Sequence, residues 1–286
     1  MLLSIQRDDT AQASEVVKRS PSIGCPPLLV RRETQWPSWN AALGCQLHHD
    51  GSVGESLESL VDGPSGLMGA LADRVCRRAF SSPEAFLYEV TIARALAKVV
   101  EPHIEERLKG KRVLDVGSGG GLIAQELARA GSREVVGVDP SKAQVRRFAR
   151  RARTGGAMSV VRAQAEDLPF ADGSFDSLYS SCTWKHWPDP VRGIAECVRV
   201  TRHGGSIVIV EIDGSTDPMT FRAFAFSSQV PLGLRRAYVR FALRTVVGVA
   251  PDPTAFAESF FGARVEGLTV TKIDGTPFLL AHATVT

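Results

Sequence analysis

From Arg112 onward, short apolar runs alternate with amphipathic stretches. RVLDV (112–116), EVVGVD (134–139), SVVRA (159–163), FDSLYSS (175–181) and SIVIVEI (206–212) read as strands. Between them, LIAQELARA, SKAQVRRFARRA and a stretch from Asp189 carry the 3.6-residue period of helices. In the last of these, Asp189 caps, Pro190 fits the first turn, and Val191, Ile194, Ala195 and Val198 form one apolar face. Gly204 and Gly205 are expected to turn the chain into the strand that follows. This alternation predicts a parallel sheet wrapped by helices. Near the C-terminus, Asp274-Gly275 separates two β-rich runs and predicts a hairpin, so the sheet should reach seven strands with an antiparallel pair.

Upstream the texture differs. Residues 1–62 are rich in Pro, Gly and polar residues without sustained periodicity and are expected to form a loosely structured leader. Residues 63–286 are expected to form one domain. Within it, 63–108 should be a helical cap, whose second helix is opened by Ser82 and Pro83. Residues 213–250 form an insertion that the bare sheet does not need. There PLGLRRAYVRFALRTVVG places Arg236, Arg240 and Arg244 on one helix face, and Phe221, Phe224, Phe226, Tyr238 and Phe241 are expected to make an acceptor pocket apolar.

Composition narrows the partners. With 286 residues, 44% hydrophobic and 23% charged, the chain fits a globular protein. A net charge of +3 and the lack of a basic and aromatic track argue against a nucleic-acid partner. Five scattered cysteines (Cys25, Cys45, Cys76, Cys182, Cys197) show no CxxC pair and no spacing suited to zinc, so no metal is expected and a reduced, cytoplasmic setting is. The first residues break into charge too early for a secretory signal, and no apolar run approaches a membrane span.

The chemistry concentrates in VLDVGSGGGLIAQELA. Asp115 ends a strand, and Gly117, Gly119, Gly120 and Gly121 form the turn into a helix. Glycines let a bound molecule approach the backbone, and the helix start offers free N–H groups to negative charge. Asp139 ends the second strand, where it can accept hydrogen bonds from ribose hydroxyls. An adenosine-bearing cofactor follows. The dinucleotide fingerprint GxGxxG fails in its first register, because Leu122 stands where glycine is needed. In its second register it matches only weakly, as Gly119-Gly120-Gly121-Leu122-Ile123-Ala124.

The pattern Asp115-x-Gly117-x-Gly119-x-Gly121 resembles the first motif of the class I S-adenosylmethionine-dependent methyltransferases, and the resemblance runs from about Leu67 to the C-terminus. VVGVDPSKAQV is similar to the family's second motif, and AQAEDLPFADGSFDSLYSS to its third and fourth. HWPDPVRGIAECVRVTRHGGSIVIVEI completes an order close to the small-molecule branch that includes ubiquinone and menaquinone C-methyltransferases. The resemblance implies a Rossmann-like three-layer α/β sandwich that binds S-adenosylmethionine. It assigns Asp115 to the methionine end, Gly117, Ser118, Gly119 and Gly121 to the cofactor-binding turn, and Asp139 to the ribose. Pro140, Asp167 and Leu168 go to the adenine region, with Asp167 accepting from the amino group and Leu168 donating its backbone N–H; Glu166 is a further cofactor-binding residue, and Ser181 lies beside the methionine moiety.

The implied reaction is in-line methyl transfer to a small organic acceptor, aromatic or lipid-like. A sulfonium carbon is already electrophilic, so alignment does most of the work. Where the acceptor needs a base, Lys185 and His186 in SSCTWKHWPDP are the candidates, beyond the fourth strand's carboxyl edge. Two other readings remain open: a protein that binds the cofactor without methyl transfer, and a nicotinamide-dependent oxidoreductase.

Overall fold

The computed structural model describes residues 14–17, 28–33, 89–131 and 134–286. Its sheet contains β1 (Ser14–Val17), β2 (Leu28–Glu33), β3 (Arg112–Val116), β4 (Glu134–Val138), β5 (Met158–Val161), β6 (Phe175–Ser181), β7 (Thr201–Ile212), β8 (Val265–Ile273) and β9 (Phe278–Val285). They lie in the order β1-β2-β8-β9-β7-β6-β3-β4-β5. The seven strands from β3 to β9 are those expected from the pattern. The run from β5 to β7 is parallel, and β9 lies antiparallel between β7 and β8. The stretch expected to be a loose leader contributes β1 and β2, with β2 running parallel to β8.

The helices are α1 (Arg94–Arg107, preceded by a π-helical turn Glu89–Ala93), α2 (Leu122–Gly131), α3 (Lys142–Ala152), α4 (Pro190–Val200), α5 (Pro218–Ser227), α6 (Arg235–Thr245) and α7 (Pro253–Glu258). Alternation within the strands splits the core in two. Val113, Val135, Tyr179 and Val208 meet α1, α2, α3, α5 and α6 on one face, while Leu114, Val136, Leu178 and Ile207 meet α4 and α7 on the other. Helices thus cover both faces of a mainly parallel sheet, which is the three-layer sandwich expected. Residues 63–88 of the expected cap lie outside the described residues. The described part, α1, buries Leu96, Val99, Val100 and Ile104 in the first core.

Two local expectations change. Gly204 and Gly205 lie inside β7 rather than before it. Phe175 of β6 pairs with Thr201 and Ser177 with Ser206, so the glycines sit in an irregular bulge, with Gly204 at φ +72°. Pairing with β6 begins directly after α4 and leaves no room for a separate turn. In the insertion, Phe221 and Phe224 are buried against the sheet rather than lining a pocket. Phe224 stacks edge-on with Phe278 of β9 at 5.0 Å, whereas Phe226 and Phe241 are exposed.

Candidate active site

The carboxyl ends of β3, β4 and β6 converge on the glycine turn. Parallel pairing aligns Asp115 of β3 with Gly137 of β4 and Tyr179 of β6, which sets the aspartate and the tyrosine side by side. The Tyr179 hydroxyl donates to Asp115 Oδ2 at 2.7 Å, with both residues buried. Burial pushes the Asp115 carboxyl up to about 7; the Tyr179 bond opposes this and the charge of Asp139 adds to it. Tyr179 in turn is held well above its usual range by burial and by this carboxylate.

The turn is braced from below. Gly117 and Ser118 both donate their amides to the Val138 carbonyl at 2.9 Å, and the Gly121 amide donates to Ser118 O at 2.9 Å. Gly121 has φ +76°, and a Cβ there would lie 2.5 Å from the Phe148 ring, so only glycine fits between the turn and α3. Gly119 differs. It also has positive φ, but a Cβ there would meet nothing closer than Gln144 Nε2 at 3.7 Å. The turn is therefore open to a ligand at Gly119 and packed at Gly121. Asp139 holds the open part: its Oδ2 accepts from the Gly119 amide at 3.0 Å and its Oδ1 from the Ser141 amide at 2.8 Å. Burial raises this carboxyl to about 6 against the pull of those two bonds. Ser118 Oγ and Gln144 Oε1 are buried here without a hydrogen-bond partner, the state of groups awaiting one.

A clasp from upstream grips the same turn. Glu89 bonds Arg147 Nε and Arg151 Nη2, each at 2.7 Å, and Arg151 Nη1 donates to the Gly120 carbonyl. The two guanidinium groups hold Glu89 below the usual carboxylate range despite its burial.

The other expected residues are dispersed around this centre. Pro140 is half-buried and its carbonyl accepts from Arg162 Nε at 2.9 Å. Glu166 is buried, with Oε1 accepting from the Asp189 amide at 3.1 Å, which ties this loop to the cap of α4. Asp167 is exposed, in a short bridge with Gln164. The Leu168 amide, assigned by resemblance to adenine, donates to Glu196 Oε2 at 2.9 Å. Ser181 ends β6, and Cys182 follows at φ +56°, a backbone conformation that a side chain rarely adopts. That residue bends the chain sharply into the loop carrying Lys185 and His186.

Lys185 is buried and committed. Its Nζ bonds Glu211 Oε1 at 2.8 Å and the Cys182 carbonyl at 2.9 Å, and its amide donates to Glu211 Oε2 at 3.1 Å. It pins the loop to β7 through these bonds. His186 is half-buried in a 3-10 turn, its amide bonded to the Thr183 carbonyl. Trp184 and Trp187 secure the turn's flanks, the first through Ser259 Oγ at 3.1 Å and an edge contact with Phe256. Tyr179, Glu211, Glu89 and Arg151 were missed in the sequence. The available signal was the lone Glu211 after the apolar run IVIV of β7, since a carboxylate there has to find a partner; Tyr179, among the polar residues of FDSLYSS, gave none.

Comparison with known proteins agrees with this geometry. Residues 114–209 match the family described as methyltransferase domain. A 100-residue stretch is 47% identical to an uncharacterized methyltransferase of Mycobacterium sp. (strain JLS), covering 35% of this chain and 38% of that protein. A 138-residue stretch is 33% identical to the demethylmenaquinone methyltransferase of Clavibacter sepedonicus, covering 48% and 52%. The chain thus spans about half or less of the length of these curated relatives. A SAM-dependent methyltransferase from Aquifex aeolicus superposes with a TM-score of 0.55 over 72% of this chain and 100% of that one, at 14% identity, a likeness of fold. Residues 114–209 are thus similar to a methyltransferase domain. The sheet and helices around them have the Rossmann-like fold of S-adenosylmethionine-dependent methyltransferases.

Proposed function

We propose that this protein transfers a methyl group from S-adenosylmethionine to a small organic acceptor. The observation that carries the proposal is the half-open glycine turn: packed at Gly121, open at Gly119, and flanked by two buried carboxylates with raised proton affinity. These residues fit the donor. Asp139, already oriented by two amides, has lone pairs left for ribose hydroxyls. Asp115, oriented by Tyr179, faces the methionine end, where an ammonium group supplies the positive charge that a buried carboxylate lacks. Ser118, Gly117 and Gly119 line the approach, Pro140, Glu166, Asp167 and Leu168 border the adenine region, and Ser181 lies beside the methionine moiety. For Leu168 this requires its amide to be shared with or released from Glu196.

When bound, the donor supplies an electrophilic methyl carbon on a sulfonium. The chain's part is to hold that carbon still, keep water away and present an acceptor in line with it. Lys185 serves through position, fixing the loop after β6 by its pair with Glu211. His186, on the same loop, is the group to accept a proton from an acceptor that must lose one. The similarity to a demethylmenaquinone methyltransferase favours an aromatic or lipid-like acceptor.

Calorimetric titration with S-adenosylhomocysteine tests the donor site. Submillimolar binding is expected, with Asp139→Ala weakening it by at least about tenfold, since two or more charge-assisted hydrogen bonds are lost. Absence of binding, or an Asp139→Ala variant that binds as the parent does, rejects the site. Labelled donor incubated with candidate phenols and quinols tests transfer, and bound donor with no labelled product would leave a binding protein.

A further inference from the structure

The insertion between β7 and α7 carries a surface that the methyl-transfer reading does not use. From Pro218 to Pro251 the chain contains five arginines and no aspartate or glutamate. Four of them, Arg222, Arg236, Arg240 and Arg244, are exposed. Large apolar side chains stand among them in the open: Leu232 at 77% exposure and Leu234 at 61% on the turn between the helices, with Met219 at 55% on α5. Phe226 is exposed as well, and Arg222 and Arg235 lie 5.3 and 5.5 Å from its ring centre. The inner faces of both helices are buried: Phe221, Phe224 and Ala225 from α5, Val239 and Ala242 from α6. The hairpin is thus anchored to the sheet on one side and carries leucines and arginines outward on the other.

Single exposed apolar side chains are ordinary on a solvated face, but Leu232 and Leu234 stand two residues apart on one turn, both mostly exposed. A protein partner of ordinary charge would not require 34 residues without one acidic side chain. Apolar side chains able to enter a hydrocarbon boundary, ringed by cations and free of anions, match an anionic lipid surface. We propose that α5, the Leu232–Leu234 turn and the outer face of α6 dock this protein on the surface of an anionic phospholipid bilayer, lying on it without crossing it. Among the described residues no helix is long and apolar enough to cross. The segment follows directly on β7, whose Glu211 holds the Lys185 loop. A docked protein would therefore keep the acceptor side of the site near the bilayer. That last step rests on the methyltransferase reading; the docking does not.

The test is flotation of the full chain with vesicles of phosphatidylcholine alone and of phosphatidylcholine mixed with phosphatidylglycerol, at low and high salt. Binding is expected to the mixed vesicles only and to weaken with salt. Arg236→Glu with Arg240→Glu should weaken it at least about tenfold, because each cation near such a surface contributes several-fold. Leu232→Glu with Leu234→Glu should weaken it comparably while leaving the unfolding midpoint and S-adenosylhomocysteine binding unchanged. Failure to float with mixed vesicles, or equal binding to both kinds, overturns the proposal. So does a drop in the unfolding midpoint of the leucine variant, which would mean that the chain itself covers those leucines. A dimer that the leucine variant dissolves, or a preference for duplex nucleic acid over vesicles, overturns it as well. S-adenosylhomocysteine binding without flotation would leave the donor site standing and the docking rejected.

Discussion

Asp115 carries two opposing demands. Its carboxyl is buried beside Tyr179 and prefers its proton up to about pH 7, yet the proposed donor needs it ionised against an ammonium. The signs follow from this. A folded-state value above that of the unfolded chain means that its contribution to stability is full at acid pH and is lost as pH rises through about 7. Donor affinity runs the other way, rising from about pH 5 to about pH 8 as Asp115 and Asp139 ionise. Asp115→Asn keeps an acceptor for the Tyr179 hydroxyl and removes the buried charge. It is expected to raise the unfolding midpoint at about pH 8 in calorimetry, and to weaken S-adenosylhomocysteine binding by about tenfold or more while flattening its pH dependence. Lys185 and Glu211 form the opposite case, two buried charges that satisfy each other at 2.8 Å. Lys185→Met leaves Glu211 buried and unpaired, a loss of about 3–5 kcal/mol in denaturant unfolding. The double change to Met at 185 and Leu at 211 should recover most of it.

At the scale of elements, the glycine turn was legible because its requirements are local. A strand that ends in aspartate, glycines at alternate positions and an apolar helix can be read without knowing what lies across from them. Asp139 was legible for the same reason. Tyr179 and Glu211 were not, because their partners come from residues 64 and 26 positions away, fixed by strand order and by the loop after β6. The Gly204-Gly205 pair was read as a turn from local chemistry and became a bulge because β6 required a partner as early as Phe175. The clasp of Glu89 on Arg147 and Arg151 was equally hidden, since VRRFARRAR looks in sequence like a solvated face. Arg151→Ala should let the Gly120 carbonyl, and with it the open part of the turn, relax. In steady-state assays this predicts a donor KM raised by about fivefold with kcat nearly unchanged, because the Gly120 bond and the Glu89 pair that are lost both lie away from the reacting atoms.

For the whole molecule, the seven strands from β3 to β9 and the mostly parallel pairing were readable from alternation and the Asp274-Gly275 turn, while the order in which they lie was not. What escaped was the reach of the sheet toward β1 and β2 and the use made of the insertion. Periodicity reports that a helix has a buried face and cannot say whether the other face meets water or lipid. The exposure of Leu232 and Leu234 among arginines is what favours lipid in the docking proposed above.

The position of β9 between β7 and β8 has a consequence in time. A ribosome that has already made the glycine turn, both aspartates and the whole insertion still holds a chain in which the edge of β7 has no neighbour on one side. The gap closes only when Phe278–Val285 emerges and slides in antiparallel between two strands made earlier, pairing Ile212 with Phe278 across 66 residues. Until then Val208 and Val210 border an open edge, the kind of template on which nascent chains stick to one another. The donor-site residues are thus synthesised before the strand that fills the gap beside β7.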